Sequence, residues 1–277
     1  MKLATIRTAN GTRAVRVEGE EFVDLGCSDV GALLAREGWR ELAAAEGPRS
    51  SAANANFATL IPHPPKVLCQ GLNYRMHLAE MGRELPAYPT LFAKYPEALI
   101  GANDNIQLPP ECEKVDWEAE LAVIIGKRIR RARGEDAEHA IAGFAVLNDV
   151  TMRDWQYRSL MWLQGKTWAN STPVGPYLVT PDELPGGVRP ALELRGYVDG
   201  VEVQAANTSD MVFDPVALVE YASTILTLEP GDIIACGTPG GVGHARQPAW
   251  YLAAGQTLST QIDGLGRSDA KTITEEI

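Results

Sequence analysis

The chain has 277 residues, of which 45% are hydrophobic and 22% charged, and this fits one large globular domain, or a large and a small one, with a substantial core. The formal net charge of −11 argues against nucleic acid or an anionic membrane surface as a partner. It does not exclude an anionic small molecule, because a bound metal can reverse the electric field inside a pocket.

The first sixty residues predict a small N-terminal α/β domain. Two short strands flank a turn at Asn10-Gly11, and Asp29 precedes an amphipathic helix. The stretch 61–65 has the sequence Ile-Pro-His-Pro-Pro, which is stiff because each proline fixes its own φ and restricts the residue before it. We therefore predict a domain of residues 1–60, a linker of residues 61–65 and a larger domain of residues 66–277.

The larger domain begins with a short predicted strand that runs into a glycine-bounded segment containing His77 and Glu80. On a helix, residues three apart are neighbours. A glutamate beside a histidine can hold the imidazole tautomer and stabilise its protonated form, as a general base acting on water requires. An ordinary ion pair on a surface helix is the commoner meaning of this spacing.

Three carboxylates follow in apolar settings. The stretch 115–125 predicts a buried strand in which Glu118 and Glu120 point to the same side. Asp149 ends a second apolar run. Converging carboxylates in an apolar environment need compensation, and oxygen-only ligands favour Mg²⁺, Mn²⁺ or Ca²⁺ over Zn²⁺. The alternative is a solvated strand face, with Asp149 as a helix cap.

Further polar residues come after Asp149. A helix there would place Arg153 and Gln156 on the same side as Asp149, aimed at a ligand anchored on the metal. Lys166 lies between a glycine and an aromatic segment, where it can neutralise a developing enolate. A solvated helix face and a surface lysine are the corresponding structural alternatives.

The last third of the chain adds a predicted hairpin, a helix that begins at Asp214-Pro215, and a buried strand followed by the glycine-rich loop 237–243. Thr238 of this loop can hydrogen-bond a carboxylate, although a plain turn is an equal alternative. His244, just after the loop, is expected to be a solvated residue, with a role in specificity as the alternative. Strands dominate and do not alternate regularly with helices, which favours an α+β, mainly β, mixed roll or sandwich.

The cysteines and the N-terminus bear on the compartment. Cys27, Cys69, Cys112 and Cys236 are widely separated and form no C-x-x-C pair, as is typical of reduced thiols. The N-terminus lacks the apolar core of a signal peptide, and no run approaches the ~18 apolar residues of a membrane span. We expect a cytoplasmic protein.

Together, these segments resemble the fumarylacetoacetate hydrolase family across about residues 66–266. Each match is weak alone, but their joint order is specific. The matching stretches are Gly71-Leu72-Asn73-Tyr74 with His77 and Glu80, residues 89–94, 116–121 and 148–154, Gly165-Lys166, and residues 228–234 running into Gly237-Thr238-Pro239.

The resemblance implies the family's mixed β-sandwich roll after a small N-terminal domain, and a homodimer. It implies that Glu118, Glu120 and Asp149 bind Mg²⁺ or Mn²⁺, for which Ca²⁺ can substitute. His77 and Glu80 match a water-activating dyad on a lid, and Lys166 matches an active-site lysine. The residues implied to contact substrate are Arg153, Gln156 and Thr238, together with Tyr74 of the first motif.

The implied reaction is hydrolysis of a C–C bond in a β-diketo acid, such as an acylpyruvate or a fumarylpyruvate-like compound, through a metal-bound enolate. The same site can serve a decarboxylase, isomerase or hydratase acting on a 2-oxo acid such as oxaloacetate. A third hypothesis, a non-enzymatic cation- or ligand-binding β protein, leaves His77 and Lys166 without a role. We expect a small-molecule partner, and neither nucleic acid nor a membrane.

Overall fold

The computed structural model describes residues 1–276, and strands make up most of its regular structure. The strands are β1 Lys2–Thr8, β2 Gly11–Glu18, β3 Glu21–Asp24, β4 Arg49–Ser51, β5 Val67–Gly71, β6 Thr90–Lys94, β7 Leu99–Gly101, β8 Ile106–Leu108, β9 Val115–Asp116, β10 Ala119–Ile125, β11 Ile141–Asn148, β12 Thr151–Met152, β13 Thr172–Val174, β14 Tyr177–Val179, β15 Glu193–Val198, β16 Val201–Asn207, β17 Ile233–Ala235, β18 Thr257–Ile262 and β19 Gly266–Thr274. The prediction of an α+β, mainly β protein is confirmed.

Most of the helices are short. They are α1 Val30–Leu34, α2 Trp39–Ala44, α3 Arg75–Glu80, α4 Glu135–Ala140, α5 Arg153–Gln156, α6 Leu163–Lys166 and α7 Pro215–Ile225. The longest, α7, begins as predicted, because the side chain of Asp214 accepts a hydrogen bond from the Ala217 amide and Pro215 occupies the first turn. Asp29 caps α1 in the same way.

The strands of residues 1–276 form three sheets. A twelve-stranded sheet has the order β4-β3-β2-β1-β14-β11-β10-β17-β5-β6, with β13 and β7 attached beside β11. A second sheet has the order β16-β15-β18-β19-β8, and β9 pairs with β12. Strands β10 and β11 are buried along their whole length, which explains why their sequences are almost entirely apolar. They lie at the centre of the large sheet and carry the residues of the candidate site at one end.

The N-terminal strands continue the large sheet. Strand β1 pairs antiparallel with β14, with Leu3 opposite Leu178. Leu3 and Leu33 also belong to the same buried cluster as Ala122 and Leu147 of the central strands. The predicted boundary at residues 61–65 therefore does not coincide with a break in the sheet, and an independently folding domain of residues 1–60 stays a prediction.

All four cysteines are free in the structure, and Cys27, Cys69 and Cys236 are buried. No helix among residues 1–276 is long and apolar enough to cross a membrane.

Candidate active site

The three predicted carboxylates meet at one end of the central strands. Strands β10 and β11 are antiparallel, with Ala119 opposite Asn148, so the start of β10 lies beside the residue that follows β11. The Asp149 amide donates to the Glu118 carbonyl oxygen over 2.8 Å. One carboxylate oxygen from each of Glu118, Glu120 and Asp149 lies within 4.8 Å of the other two, and the three residues are 7%, 1% and 0% exposed.

This cluster fits a divalent cation. Burial raises the pKa of Glu120 well above its ordinary value, and the charges of Asp149 and Glu118 raise it further. The Gly237 amide donates to Glu120 Oε2 over 2.8 Å, and no ion pair reaches Glu120 among the described residues. A buried carboxylate with one backbone donor lacks compensation. A cation bound by three carboxylate oxygens supplies it, and this donor set suits Mg²⁺ or Mn²⁺.

Lys166 and Arg153 are buried cations beside the carboxylates. Lys166 Nζ lies 2.7 Å from Glu118 Oε2 and 2.8 Å from Asp149 Oδ2. Arg153 Nη1 lies 2.8 Å from Glu118 Oε1. Burial alone would lower the pKa of Lys166, but the charges of Asp149 and Glu118 raise it above its ordinary value. Lys166 is therefore a cation at neutral pH, suited to stabilising negative charge or donating a proton rather than accepting one.

Two buried charged residues were not assigned a role from the sequence. Lys94 donates to Asp149 Oδ1 and, over 3.3 Å, to the Val150 carbonyl oxygen. Asp116 accepts hydrogen bonds from Arg153, over 2.8 Å to Nε, and from the backbone amides of Gly243 and His244. Asp116 thus ties the glycine-rich loop to Arg153. The sequence did contain a signal for both residues, because each is a charged residue at one end of an otherwise apolar strand.

The predicted dyad of His77 and Glu80 lies on α3. His77 Nδ1 is 3.7 Å from Glu80 Oε2, which is beyond hydrogen-bonding distance. Nδ1 is buried and has no hydrogen-bond partner, whereas the Glu80 side chain is 62% exposed. The Glu80 carboxylate packs against Gly240, where a Cβ would come within 2.4 Å of Oε2. The two side chains are therefore adjacent but are not hydrogen-bonded to each other.

A cavity of about 270 Å³ lies between His77 and Glu118, the one carboxylate of the cluster that lines it. Of the predicted residues, it is lined by His77, Glu118, Arg153, Gln156, Lys166 and Thr238. A larger groove of about 670 Å³ beside β3 and β4 contains none of them, so chemistry rather than size identifies the site.

Tyr74 does not reach the cavity. It is fully buried in the hydrophobic core, and its hydroxyl has no hydrogen-bond partner. The aromatic ring packs with apolar residues such as Leu121, so the structure does not place it among the groups that line the cavity. Its predicted contact with substrate is therefore not supported by this arrangement.

Thr238 lines the cavity but is already engaged. Its hydroxyl donates to the Ala119 carbonyl oxygen over 3.0 Å and accepts a hydrogen bond from Gln204 Nε2 over 2.8 Å. Gln204, which the sequence did not single out, also accepts from the Ala119 amide. This network fixes the start of the glycine-rich loop against β10.

Gly165 allows α6 to pack against α5. A Cβ at this position would lie 2.5 Å from the Cα of Gln156 and 2.6 Å from its backbone nitrogen, and backbone atoms cannot move aside cheaply. We expect Gly165→Ala to destabilise the protein by about 1–3 kcal/mol and to lower activity, because Lys166 is the next residue. Urea unfolding and turnover measure the two effects. Gln164→Ala, on an exposed neighbour, is the control, and equal stability of the two variants would contradict the packing argument.

Comparison with known proteins adds independent evidence. Residues 66–272 match the family model for the C-terminal domain of fumarylacetoacetate (FAA) hydrolase. A mitochondrial oxaloacetate tautomerase of Rattus norvegicus is 40% identical over 228 residues, which cover 82% of this chain and 72% of the rat protein. The structure of a fumarylacetoacetate hydrolase from the psychrophilic Exiguobacterium antarcticum superposes with a TM-score of 0.89 and 28% identity, covering 99% of this chain and 100% of that chain.

A second solved structure is that of maleylpyruvate hydrolase from Sphingobium sp. SYK-6, in complex with manganese(II) ion and pyruvate. It has a TM-score of 0.81 and 30% identity to this chain, and all of both chains is covered. The fold of this chain thus resembles that of two hydrolases, one of which was solved with manganese(II) ion.

Proposed function

This chain belongs to the fumarylacetoacetate hydrolase family, and from that premise we propose that it is a divalent-metal-dependent enzyme that hydrolyses a C–C bond in a β-diketo acid. One observation carries the proposal: His77 and Glu118 of the carboxylate cluster line the same cavity, with Glu80 beside His77. A site that only bound a cation would have no use for an imidazole facing the cavity or for the buried Lys166.

The charges of the site favour an anionic substrate. Glu118, Glu120 and Asp149 would hold the ion, which when bound supplies Lewis-acid stabilisation of negative charge on substrate oxygens. With Asp116, four buried carboxylates face three buried cations, which are Lys94, Arg153 and Lys166. Their sum is one negative charge, and a divalent ion converts it to one positive charge. The carboxylate of a single 2-oxo acid group neutralises this remainder.

His77, Glu80 and Lys166 have different roles in the proposed reaction. His77 takes a proton from a water molecule that attacks the distal carbonyl carbon, and the C–C bond then breaks with its electron pair left on the 2-oxo acid fragment as an enolate. Glu80 stabilises the imidazolium once the Nδ1–Oε2 distance of 3.7 Å shortens to about 3 Å. Lys166 stabilises the enolate, whose carbon then takes up the proton that His77 removed from the water, so the products are a carboxylic acid and a 2-oxo acid.

A second candidate is tautomerisation of oxaloacetate, which the similarity to the rat enzyme favours. This reaction moves one proton between the carbon next to the carbonyl group and the carbonyl oxygen, and it needs no attacking water. The carboxylate cluster and Lys166 serve it equally well, whereas the His77–Glu80 pair would act on carbon instead of on water.

The decisive test is the ultraviolet absorbance of an acylpyruvate, followed with Mg²⁺, with Mn²⁺ and after chelator treatment, with oxaloacetate tautomerisation measured in parallel. We expect metal-dependent loss of the enol-diketone band and formation of pyruvate. Glu120→Gln is the matched control for background loss. Turnover of oxaloacetate alone would assign the second function, and no metal-dependent turnover of either compound would reject both.

A further inference from the structure

Helix α3, which carries His77 and Glu80, has little within its own sequence to keep it folded. It has six residues, of which Leu78 is buried. A helix this short is marginal in water unless contacts from the rest of the protein support it. The Tyr74 side chain, at the N-cap position, does not cap the first turn. The position of His77 therefore depends on contacts from elsewhere in the chain.

Asp210 supplies the missing cap from a segment 134 residues farther along the chain than the first turn of α3. The Met76 amide in this turn donates to Asp210 Oδ2 over 3.0 Å. Among residues 1–276, no other side chain accepts a hydrogen bond from a backbone amide of α3. A carboxylate at this place satisfies a free amide and interacts favourably with the positive end of the helix. Asp210 thus caps α3 as Asp29 caps α1, but from outside the local sequence.

The segment that follows Asp210 is fixed against the residues that precede α3. The Val212 amide donates to the Asn73 carbonyl oxygen over 2.7 Å. The Asn73 side chain donates to the Phe213 carbonyl oxygen over 3.0 Å and accepts from the Phe213 amide over 2.9 Å. Asn73 also donates to the carbonyl oxygen of Cys236, just after β17, over 2.7 Å. The cap is therefore anchored to the large sheet, and it holds α3 in register with that sheet.

Asp210 lies beside the dyad but outside the catalytic cavity. A second cavity, of about 90 Å³, is lined by Asp210, His77 and Glu80. His77 lines both cavities, whereas Asp210 is not among the residues that line the larger one. The carboxylate is thus close enough to determine where His77 lies, yet it is not placed to touch a substrate bound beside Glu118.

We propose that Asp210 is a positioning residue: by capping α3 from a distant segment, it keeps the helix folded and holds His77 at the catalytic cavity. This inference rests on the proposed function, in which His77 is the general base, and goes beyond it by naming what holds that base in place. The side-chain oxygen that accepts from the Met76 amide carries this role. Asparagine, whose side-chain oxygen also caps helices, should therefore replace the carboxylate.

The test compares Asp210→Ala with Asp210→Asn in the full, Mg²⁺-loaded chain. Alanine removes the cap, so hydrogen exchange of the Leu78 and Ala79 amides in α3 should become about fivefold faster or more. The kcat for an acylpyruvate should fall about tenfold, because a displaced base is costly. KM should change less than about twofold, because the carboxylate cluster lies on other elements. Asparagine should keep exchange and kcat within about twofold of the unmodified enzyme.

Asp29→Ala is the matched control, because it removes a cap of the same kind from a helix that does not line the cavity. Asp29 Oδ1 accepts from the Ala32 amide over 2.8 Å in α1. Both alanine variants should lower the unfolding temperature by about 2–4 °C. Asp29→Ala should nevertheless leave kcat and the exchange of the α3 amides unchanged.

Unchanged exchange in α3 or unchanged kcat in Asp210→Ala would overturn the proposal. So would an Asp210→Asn variant as impaired as Asp210→Ala, or an equal loss of kcat in Asp29→Ala. The exchange measurement needs no substrate, so it decides whether Asp210 holds α3 even if no acylpyruvate is turned over. Failure of the cap and failure of the proposed reaction are therefore distinguishable.

Discussion

Replacing His77 with glutamine should lower the turnover of a β-diketo acid by about 10²–10⁴-fold, the range for loss of a general base, while leaving metal binding unchanged. His77 lines the cavity but makes no ion pair or hydrogen bond with Glu118, Glu120 or Asp149 among the described residues. Glutamine keeps polar atoms at the position but has no nitrogen that accepts a proton near neutral pH. Steady-state kinetics and calorimetric Mg²⁺ titration measure the two effects separately.

His139→Gln is the control for this substitution, because His139 is exposed and lies on α4, away from the cavity. It should change neither property. Full turnover by His77→Gln would reject the dyad. Loss of metal affinity in this variant would instead show that the histidine acts on the ion, and unchanged oxaloacetate tautomerisation would separate the two candidate reactions.

Replacing Glu120 with glutamine should abolish metal binding and lower activity by roughly 10³-fold, since a Lewis-acid metal supplies several kcal/mol and each 1.4 kcal/mol is tenfold in rate. The amide oxygen can still accept the 2.8 Å hydrogen bond from the Gly237 amide. The fold should therefore survive, and the loss should come from the missing charge at the ion. Metal titration and kinetics on the same preparation measure both effects.

The same variant should make the metal-free protein more stable. The folded protein raises the pKa of Glu120 by burial and by the charges of Asp149 and Glu118. The carboxyl group therefore opposes folding above its ordinary pKa, and this cost grows as pH rises toward the folded value. At pH 8 without metal, Glu120→Gln should unfold at a higher temperature, by about 2–4 °C for each kcal/mol gained. At pH 4 the difference should largely vanish.

Added Mn²⁺ should reverse the order at pH 8, because a ligand that binds only the folded state stabilises it. The unmodified protein should gain stability and the variant should not. Glu202→Gln, at a partly exposed carboxylate on β16, controls for general charge effects. A metal-free Glu120→Gln protein that unfolds at a lower temperature at pH 8 would contradict the account of this cluster.

The parts of the site that follow from local periodicity could be predicted from the sequence. Glu118 immediately precedes β10 and Glu120 is its second residue, and the alternation of side chains in an extended chain was sufficient to place them together. The spacing of His77 and Glu80 likewise predicted neighbours on one helical turn. The helix after Asp149 is present, although it begins at Arg153 after a two-residue strand.

Contacts between distant segments could not be predicted in this way. Lys94 reaches Asp149 across 55 residues of sequence, and Asp116 joins Arg153 to amides more than 120 residues away. Only the pairing of the strands brings these groups together. Tyr74 shows the converse problem, because its motif suggested substrate contact while its side chain packs into the apolar core.

The sequence pattern also failed to predict the break between α1 and α2. The apolar pattern after Asp29 predicted one amphipathic helix, but the structure has α1 and α2 with a break between them. Gly38, with φ of 67°, adopts the left-handed conformation immediately before α2, and this conformation interrupts the helix. A sequence pattern of apolar residues does not reveal such a break.

The pairing of β1 with β14 has a consequence for how the chain can be divided. Cutting the protein back to residues 66–272, the stretch that the family model matches, would leave the β1-facing edge of β14 without a neighbour and would uncover Leu178, which packs in the same cluster as Leu3. An unpaired, apolar edge strand is a template for aggregation. The N-terminal segment thus covers an edge strand that would otherwise be exposed and prone to aggregate. A chimera that takes its catalytic domain from this protein should therefore include residues 1–60 as well.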